Sequence, residues 1–498
     1  MNILIVGNGF DLSHYLPTKY DHFMDVMRAI EEKDLGKPIS DVFTMSVDDL
    51  PQLILKVFQI KVATSELTYQ MNFKDLFSKC RDKKFIEKIQ EIYDTEKIVI
   101  PLEKILEIQY KLKNNSWYQY FSDHVREVKT WIDFETKINE ALKVVAKFIV
   151  SLNRKLDESG SFSHEICFYR NGEERKIFLT REQCNLLEKF NILYSGYFID
   201  QDDYDEHGHI VNVPIDIGDP DHGSLRFYIN DQYIQNYSGY WKLNDDHLLS
   251  LLQKKLDEFI EIFNLYLDLI VSQLLPKNIY SIEGEDWISP NKIYSFNYTN
   301  TFQRIYDSVD VEYLHGSHGV DQNIVLGVSD LEDATLKKIK AYGFTKYHQK
   351  LFKDTDYIFL DGFKNKILKN EEVIINLNTK LDKINNLWEV SALKKQIDEK
   401  ISQRKINLNF FIWGHSLDAS DQDYIKDLFS LNDDMDRNVR VTVYYFDKPA
   451  KFSLLNNLLA ILGKDKVEQW MKNKWLVFKP NPEVQFLAEE NSDTDRAS

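Results

Sequence analysis

Four short polar turns carry the residue types that can do chemistry in this chain. The first, Gly7-Asn8-Gly9-Phe10-Asp11, puts two glycines, an amide and a carboxylate within five residues. Glycines in such a turn let backbone amides approach a phosphate, and a carboxylate beside them can balance positive charge. The pattern is G-x-G-x-x-L, without a third glycine, and such turns also occur without ligands. The second, Phe296-Asn297-Tyr298-Thr299-Asn300, offers Asn297 to a ribose or a water. Thr299 or Asn300 equally suits the cap of a following helix. The third, Leu314-His315-Gly316-Ser317, holds an imidazole, the usual side chain for proton transfer near neutral pH. A lone histidine is also commonly structural. The fourth, Trp413-Gly414-His415-Ser416-Leu417-Asp418, is followed by Ser420, Asp421, Asp423 and Tyr424. Gly414, His415 and Ser416 suit a phosphate or ribose, and Asp418 suits ribose hydroxyls. The alternative is a strand-to-helix turn with capping carboxylates.

Each turn follows a predicted strand. Residues 2–6 form an apolar run that reads as a buried strand, and residues 292–296, 310–314, 323–328, 406–412, 439–446 and 474–478 read likewise. Helical segments at about 299–308, 331–401, 420–430 and 452–472 separate several of them. Strands alternating with helices predict an α/β fold with a mostly parallel sheet covered on both faces. Residues 1–20, 290–330 and 404–482 then make one discontinuous Rossmann-like nucleotide-binding domain. Residues 21–289 become a large, mainly helical insertion, with an acidic loop-rich part near 160–240. Apolar spacing predicts helices from Tyr20 to about Lys33, from about Trp131, and from about Asp245 to Leu275, ended by Pro276. Residues 331–403 form a second helical insertion, and 483–498 an acidic, disordered tail.

Composition narrows the function classes. The 498 residues are 43% hydrophobic and carry a net charge of −17, which disfavours nonspecific nucleic-acid binding. No apolar run approaches the roughly 18 residues of a membrane span. The start lacks a signal-peptide pattern, which places the protein in the cytoplasm. Cys80, Cys167 and Cys184 are too far apart for a metal-binding spacing and odd in number, so reduced thiols and no metal are expected. His207 and His209 lie in a run of Asp202, Asp203, Asp205 and Glu206 that reads as a solvated acidic loop. Neither G-x-S-x-G nor G-x-x-x-x-G-K-[ST] is present, which argues against a serine hydrolase of that fold and a P-loop ATPase.

With these residues in view, the chain resembles the AbiH family of bacteriophage abortive-infection proteins. The resemblance rests on Gly7-Asn8-Gly9-Phe10-Asp11-Leu12 with Leu16-Pro17-Thr18 and Tyr20, on Trp131-Ile132-Asp133-Phe134-Glu135, on Phe296-Asn297-Tyr298-Thr299, and on Gly414-His415-Ser416-Leu417-Asp418 with Asp421 and Tyr424. It implies a bacterial anti-phage effector answering an unknown phage trigger, with a homo-oligomer as one possible assembly. More distantly the chain resembles sirtuin-like NAD hydrolases. Leu314-His315-Gly316-Ser317 looks like their catalytic histidine motif, Asn297 like their strand-end asparagine, and Gly414-His415-Ser416-Leu417 like their Gly-Thr-Ser-Leu turn. That resemblance implies NAD as substrate or ligand, with His315, Asn297 and Asp11 catalytic. Gly7, Asn8, Gly9, Phe10, Gly414, His415, Ser416 and Asp418 would then bind the cofactor. Thr299 stands where sirtuins carry an aspartate, and the paired cysteines of protein deacylases are missing. Two rivals remain: a nucleotide sensor without catalysis, and a metal-dependent nuclease or nucleotide hydrolase using Asp11, Asp418 and Asp421.

Overall fold

Ile3, Leu4, Ile5 and Val6 are each at most 4% exposed. A strand buried on both faces needs parallel neighbours and covering helices. The computed structural model describes residues 1–33, 70–124 and 131–487, apart from short stretches inside the last span. It supplies both requirements. Six parallel strands form one sheet: β1 (Asn2–Val6), β2 (Lys292–Ser295), β3 (Asp310–Tyr313), β4 (Leu408–Trp413), β5 (Val439–Tyr445) and β6 (Leu476–Pro480). Their order is β3-β2-β1-β4-β5-β6. Winding therefore reverses between β1 and β4, and open α/β sheets bind ligands outside the carboxyl ends of strands at such a point.

Register decides what meets there. Val6 stands opposite Ser295 and Trp413, and Ser295 opposite Tyr313. The ladder continues for one more bond on each side: Phe296 N–H donates to the Val6 carbonyl at 2.9 Å, Leu314 N–H to Ser295 at 2.8 Å, and Gly7 N–H to Trp413 at 3.0 Å. The four polar turns thus leave the sheet side by side. One face of the sheet packs Ile3, Ile5, Phe410, Ile412, Val441 and Val443 against Leu428, Phe429, Leu458 and Trp470 of the helices Gln422–Ser430, Lys448–Leu462 and Lys464–Lys472. The other face packs Leu4, Val6, Phe411 and Trp413 with Phe10, Phe302 and Tyr444.

A separate, larger core fills the insertion between β1 and β2 and takes in Ile324, Leu326, Leu336 and Phe344 from beyond β3. Its centre is the helix Asp245–Tyr266, which buries Leu248, Leu252, Leu256, Phe259, Ile260 and Phe263. The expected single helix to residue 275 instead changes to a π-helical turn at Leu267–Val271, a feature often found at functional sites. The insertion also contains a five-stranded sheet ordered Ile177–Phe178, Glu165–Cys167, Ser224–Ile229, Leu193–Tyr204, Ile210–Asp216. It is therefore less purely helical than its apolar periodicity suggested. Asp202 and Asp203 of the expected acidic loop belong instead to the strand Leu193–Tyr204, and residues 205–209, with His207 and His209, lie outside the described residues. No described helix is long and apolar enough to cross a membrane.

Three other expectations need correction. Residues 323–328 are not a strand of the sheet. Ile324, Val325 and Leu326 are buried, but their N–H groups donate to the Gln322 side chain, the His315 carbonyl and the Gln349 side chain in turn. A buried apolar run looks the same in sequence whether a ladder or a loop satisfies its amides. The 331–401 segment is not one helical run. It breaks into Ala334–Lys338, Lys346–Phe352, Asp361–Leu381 and Leu387–Ser402, with left-handed residues at Lys340, Asp354 and Leu360. Finally, Glu483–Leu487 is no disordered tail but pairs antiparallel with Ile279–Glu283. Residues 488–498 lie outside the described residues.

Burial under the first turn carries a pH consequence. His14 is fully buried, with Nδ1 2.7 Å from the Phe10 carbonyl and Nε2 2.5 Å from the Tyr306 hydroxyl. A carbonyl only accepts, so Nδ1 bears the proton and Nε2 accepts from Tyr306. Burial pulls the ring down to about 4. A depressed histidine stabilises the fold above its unfolded pKa near 6.5, and that stability drains as pH falls towards 4. The loss at this one residue is at most about 3 kcal/mol. Urea unfolding at pH 7 and pH 4.5 should therefore show a smaller acid loss in His14→Gln than in the parent.

Candidate functional site

The floor of the site is the start of the helix Asn8–Ser13, capped by Gly7 where the sequence suggested only a turn, interlocked with the turn at Gly414. Gly9 N–H donates to the Gly414 carbonyl at 2.8 Å, beside the Gly7–Trp413 bond. Gly414 adopts φ +73°, and a Cβ there would lie 2.1 Å from the Phe10 nitrogen. A Cβ on Gly7 would come within 2.6 Å of His415 Cα. These glycines are required because backbone packs on backbone. The amides of Gly7 and Gly9 are thereby used inside the protein, not presented to a phosphate as the motif alone suggested. Asn8 Oδ1 accepts from Thr18 Oγ1 at 2.6 Å, which ties the first turn to the chain leading into the insertion.

One wall is built around Asp11. Its carboxylate is buried, and Thr299 Oγ1 donates to Oδ2 at 2.6 Å. Thr301 Oγ1 donates to Thr299 Oγ1 at 3.0 Å, and Asn297 Nδ2 donates to the Gly7 carbonyl at 3.0 Å. Burial pushes the Asp11 carboxyl up to about 6, against the pull of Thr299, Thr301, Arg304 and Asn297. Asn297 is held rigidly, with its backbone N–H on Ser295 Oγ.

The opposite wall is a buried charge cluster. His315 Nε2 lies 3.1 Å from Asp421 Oδ1, within charge contact but outside hydrogen-bond alignment. Lys346 Nζ donates to the same oxygen at 3.2 Å and lies 2.7 Å from Glu135 Oε1. The second oxygen, Oδ2, lies 3.3 Å from His415 Nε2. Leu417 N–H donates to His415 Nδ1 at 3.0 Å, so that ring carries its proton on Nε2, facing the carboxylate. Burial pulls His315 down to about 3. Burial alone would raise Asp421, but Lys346 and His315 outweigh it and hold the carboxyl well below its ordinary range. Burial pushes Glu135 up to about 7, opposed by Lys346. A partly solvated cleft of about 300 Å³ runs between the two walls and is lined by Gly7, Asn8, Asp11, Asn297, Thr299, His315, Gly414, His415, Ser416, Asp421, Lys346 and Glu135. A second cavity of about 790 Å³ adjoins it and shares Leu12, Lys19, Gly414, His415 and Ser416.

Residues 3–445 match the model of a protein family described as bacteriophage abortive infection AbiH. The chain belongs to the AbiH family. Its role is accordingly in abortive infection against bacteriophage. No curated protein and no solved structure matches the chain. The matched span covers all four turns of this AbiH chain and every residue of both walls.

Not every expected site residue reaches the cleft. Gly9 lines only the second cavity, and Phe10 is packed in the core beside Trp413. Asp418 caps the short turn Ala419–Asp421 by accepting from Ser420 N–H at 2.9 Å, and does not line the cleft. Asp11 and Asp421 therefore share the cleft without Asp418. Among the described residues no group of three or more His, Cys, Asp or Glu is placed to hold a metal ion. Lys346 escaped sequence reasoning. It is one of 62 Lys and Arg residues, on a short helix of a surface insertion, and nothing in its neighbours marks it as buried.

Proposed function

We propose that this AbiH chain binds NAD across a Rossmann-like, sirtuin-like sheet and hydrolyses its nicotinamide–ribose bond. One observation carries the reading: Asn297 and His315, from different strand ends, line a single cleft at the reversal between β1 and β4. The strand order, 3-2-1-4-5-6 counted along the chain, is that of dinucleotide-binding sheets. The Asp11–Thr299 bond adds support. Where the sirtuin pattern has a carboxylate in sequence, this chain has Thr299, yet a carboxylate stands beside it in space. Small-molecule pockets span about 300–1,000 Å³. The cleft suits a nicotinamide riboside half, and the adjoining cavity, with Tyr445, Phe446 and Phe85 on its lining, suits the adenosine half.

In this reading the C1′–nitrogen bond breaks and its electron pair leaves with nicotinamide, which departs neutral. Asp11, once ionised, faces the positive charge that grows on the ribose. Asn297 orients the incoming water, and His315 takes the proton that water releases as its oxygen bonds to C1′. The phage trigger remains outside the site: a constitutive NAD hydrolase would harm its host, so the resting activity is low.

The test is purified protein with NAD, with and without magnesium. NAD should raise the unfolding temperature, and nicotinamide should appear slowly without magnesium. A thermal shift with no turnover, even in infected-cell extract, would favour the nucleotide-sensor reading; metal-dependent loss of a polynucleotide would favour the nuclease. Asp11 supplies a pH check. It is raised by burial, so it is ionised only above about 6. Turnover should fall as pH drops through 6, and Asp11→Asn should lose turnover while losing that inflection.

A further inference from the structure

Lys346 belongs to a helix built inside out. In Lys346–Phe352 the buried side chains are Lys346, Gln349 and Lys350, whereas Tyr347 and Phe352 are 64% and 77% exposed. A surface helix ordinarily turns its apolar stripe inward. This one is docked by polar tethers: Lys346 to Glu135 and Asp421, Gln349 to both backbone groups of Leu326 at 2.9 and 3.0 Å, and Lys353, just past its end, to the Ile324 carbonyl at 3.0 Å.

One oxygen of that docking is contested. Asp421 Oδ1 accepts the Lys346 hydrogen bond at 3.2 Å while His315 Nε2 lies 3.1 Å from the same oxygen, so ammonium and imidazole share it. We propose that Lys346 is a lock on His315: with its helix docked it claims the Asp421 carboxylate, and its withdrawal hands that carboxylate to the imidazole. A histidine whose ring proton is held by a carboxylate is oriented, fixed in one tautomer and more basic at its other nitrogen. His315 faces Asp421 from the turn after β4, Lys346 and Lys350 from the inverted helix, and the Tyr424 ring from the helix Gln422–Ser430. Burial and the two ammonium groups, opposed by Asp421, hold the docked ring far below neutral, where an imidazole is a weak base. Glu135 joins the lock to the long helix Trp131–Ser159 of the large insertion, so a disturbance there reaches His315 through Lys346. The proposal rests on the reading of His315 as the base of the cleft, but it concerns the state of that ring and can be read without turnover.

The experiment uses the full chain labelled with ¹⁵N-histidine, the His315 signals being those lost in His315→Asn. Lys346→Met alone would leave two buried carboxylates without their cation, so the informative variant is Lys346→Met with Glu135→Gln, which removes the pair together. Ring nitrogen shifts followed against pH should show His315 titrating at least about one unit higher than in the parent, its proton on Nε2. Nicotinamide release from NAD without any trigger should rise about tenfold or more as the ring nears the working pH. Lys346→Arg, which keeps the charge, should keep the ring near its parental value. An unshifted His315 in the folded double variant overturns the lock. So does a raised ring with slower release, which would make Lys346 a group that assists turnover. A raised ring with no release from any variant upholds the lock and overturns the NAD-cleavage reading instead.

Discussion

His315→Ala and Asn297→Ala should each lower nicotinamide release by about 10²- to 10⁴-fold, the usual cost of losing a general base or its oriented water, and each should abolish protection of cells against phage. Both variants should remain folded. His315 is not the sole partner of Asp421, which keeps Lys346 on one oxygen and His415 beside the other when the imidazole is removed. Asn297 donates one bond, to the Gly7 carbonyl, whose loss costs about 1–3 kcal/mol. Binding and turnover should also separate. Neither side chain is expected to hold the adenosine half, so the NAD-induced rise in unfolding temperature should survive in His315→Ala. If both variants, shown folded by circular dichroism, protect cells as the parent does, the sirtuin-like chemistry is wrong. The buried carboxylates Asp11 and Asp421 then become the groups to replace.

The second large effect is on stability. Gly414→Ala should destabilise the protein by about 3–5 kcal/mol, at the upper end for a single substitution. Two costs add. Gly414 sits at φ +73°, which alone costs a residue with a Cβ about 1–3 kcal/mol. The new Cβ would also lie 2.1 Å from the Phe10 nitrogen and 2.4 Å from the Gly9 carbonyl carbon. Backbone cannot swing aside as a flexible side chain can. The two turns must part, breaking the Gly9–Gly414 bond and displacing the cleft floor. Gly362→Ala is the control, because a Cβ there meets nothing within 4 Å. The midpoint of urea unfolding should drop sharply for the first variant and hold or rise slightly for the second, whose glycine lies in the helix Asp361–Leu381. Equal midpoints would mean that the turns are less tightly interlocked than their geometry indicates.

A weaker but related contrast concerns the two carboxylates of the cleft. Asp421 is held ionised by Lys346 and His315, whereas Asp11, surrounded by hydroxyls and an amide, has its proton affinity raised by burial. Two acidic side chains a few residues from glycine turns look alike in sequence. Their protonation differs because one meets an ammonium group from a distant insertion and the other does not.

The sequence by itself determined which segments could be buried parallel strands and where their polar ends fell. Residues 2–6, 292–296 and 439–446 are short apolar runs that sit stably only between other strands, and each is followed by a turn no strand can continue. That was enough to place Gly7, Asn297, His315 and Gly414 at strand ends, and the AbiH motifs stood in plain order along the chain. Only the tertiary structure decided what those ends meet. Parallel register aligned Val6, Ser295, Tyr313 and Trp413, a property of pairing between segments hundreds of residues apart. The run 323–328 has the sequence of a strand without being one, because hydrophobic burial is visible in sequence while the partner of a backbone amide is not. Lys346 was invisible for the same kind of reason. A lysine keeps its charge in a protein interior when carboxylates meet it, and Glu135 and Asp421 come to it from positions 211 residues before and 75 residues after.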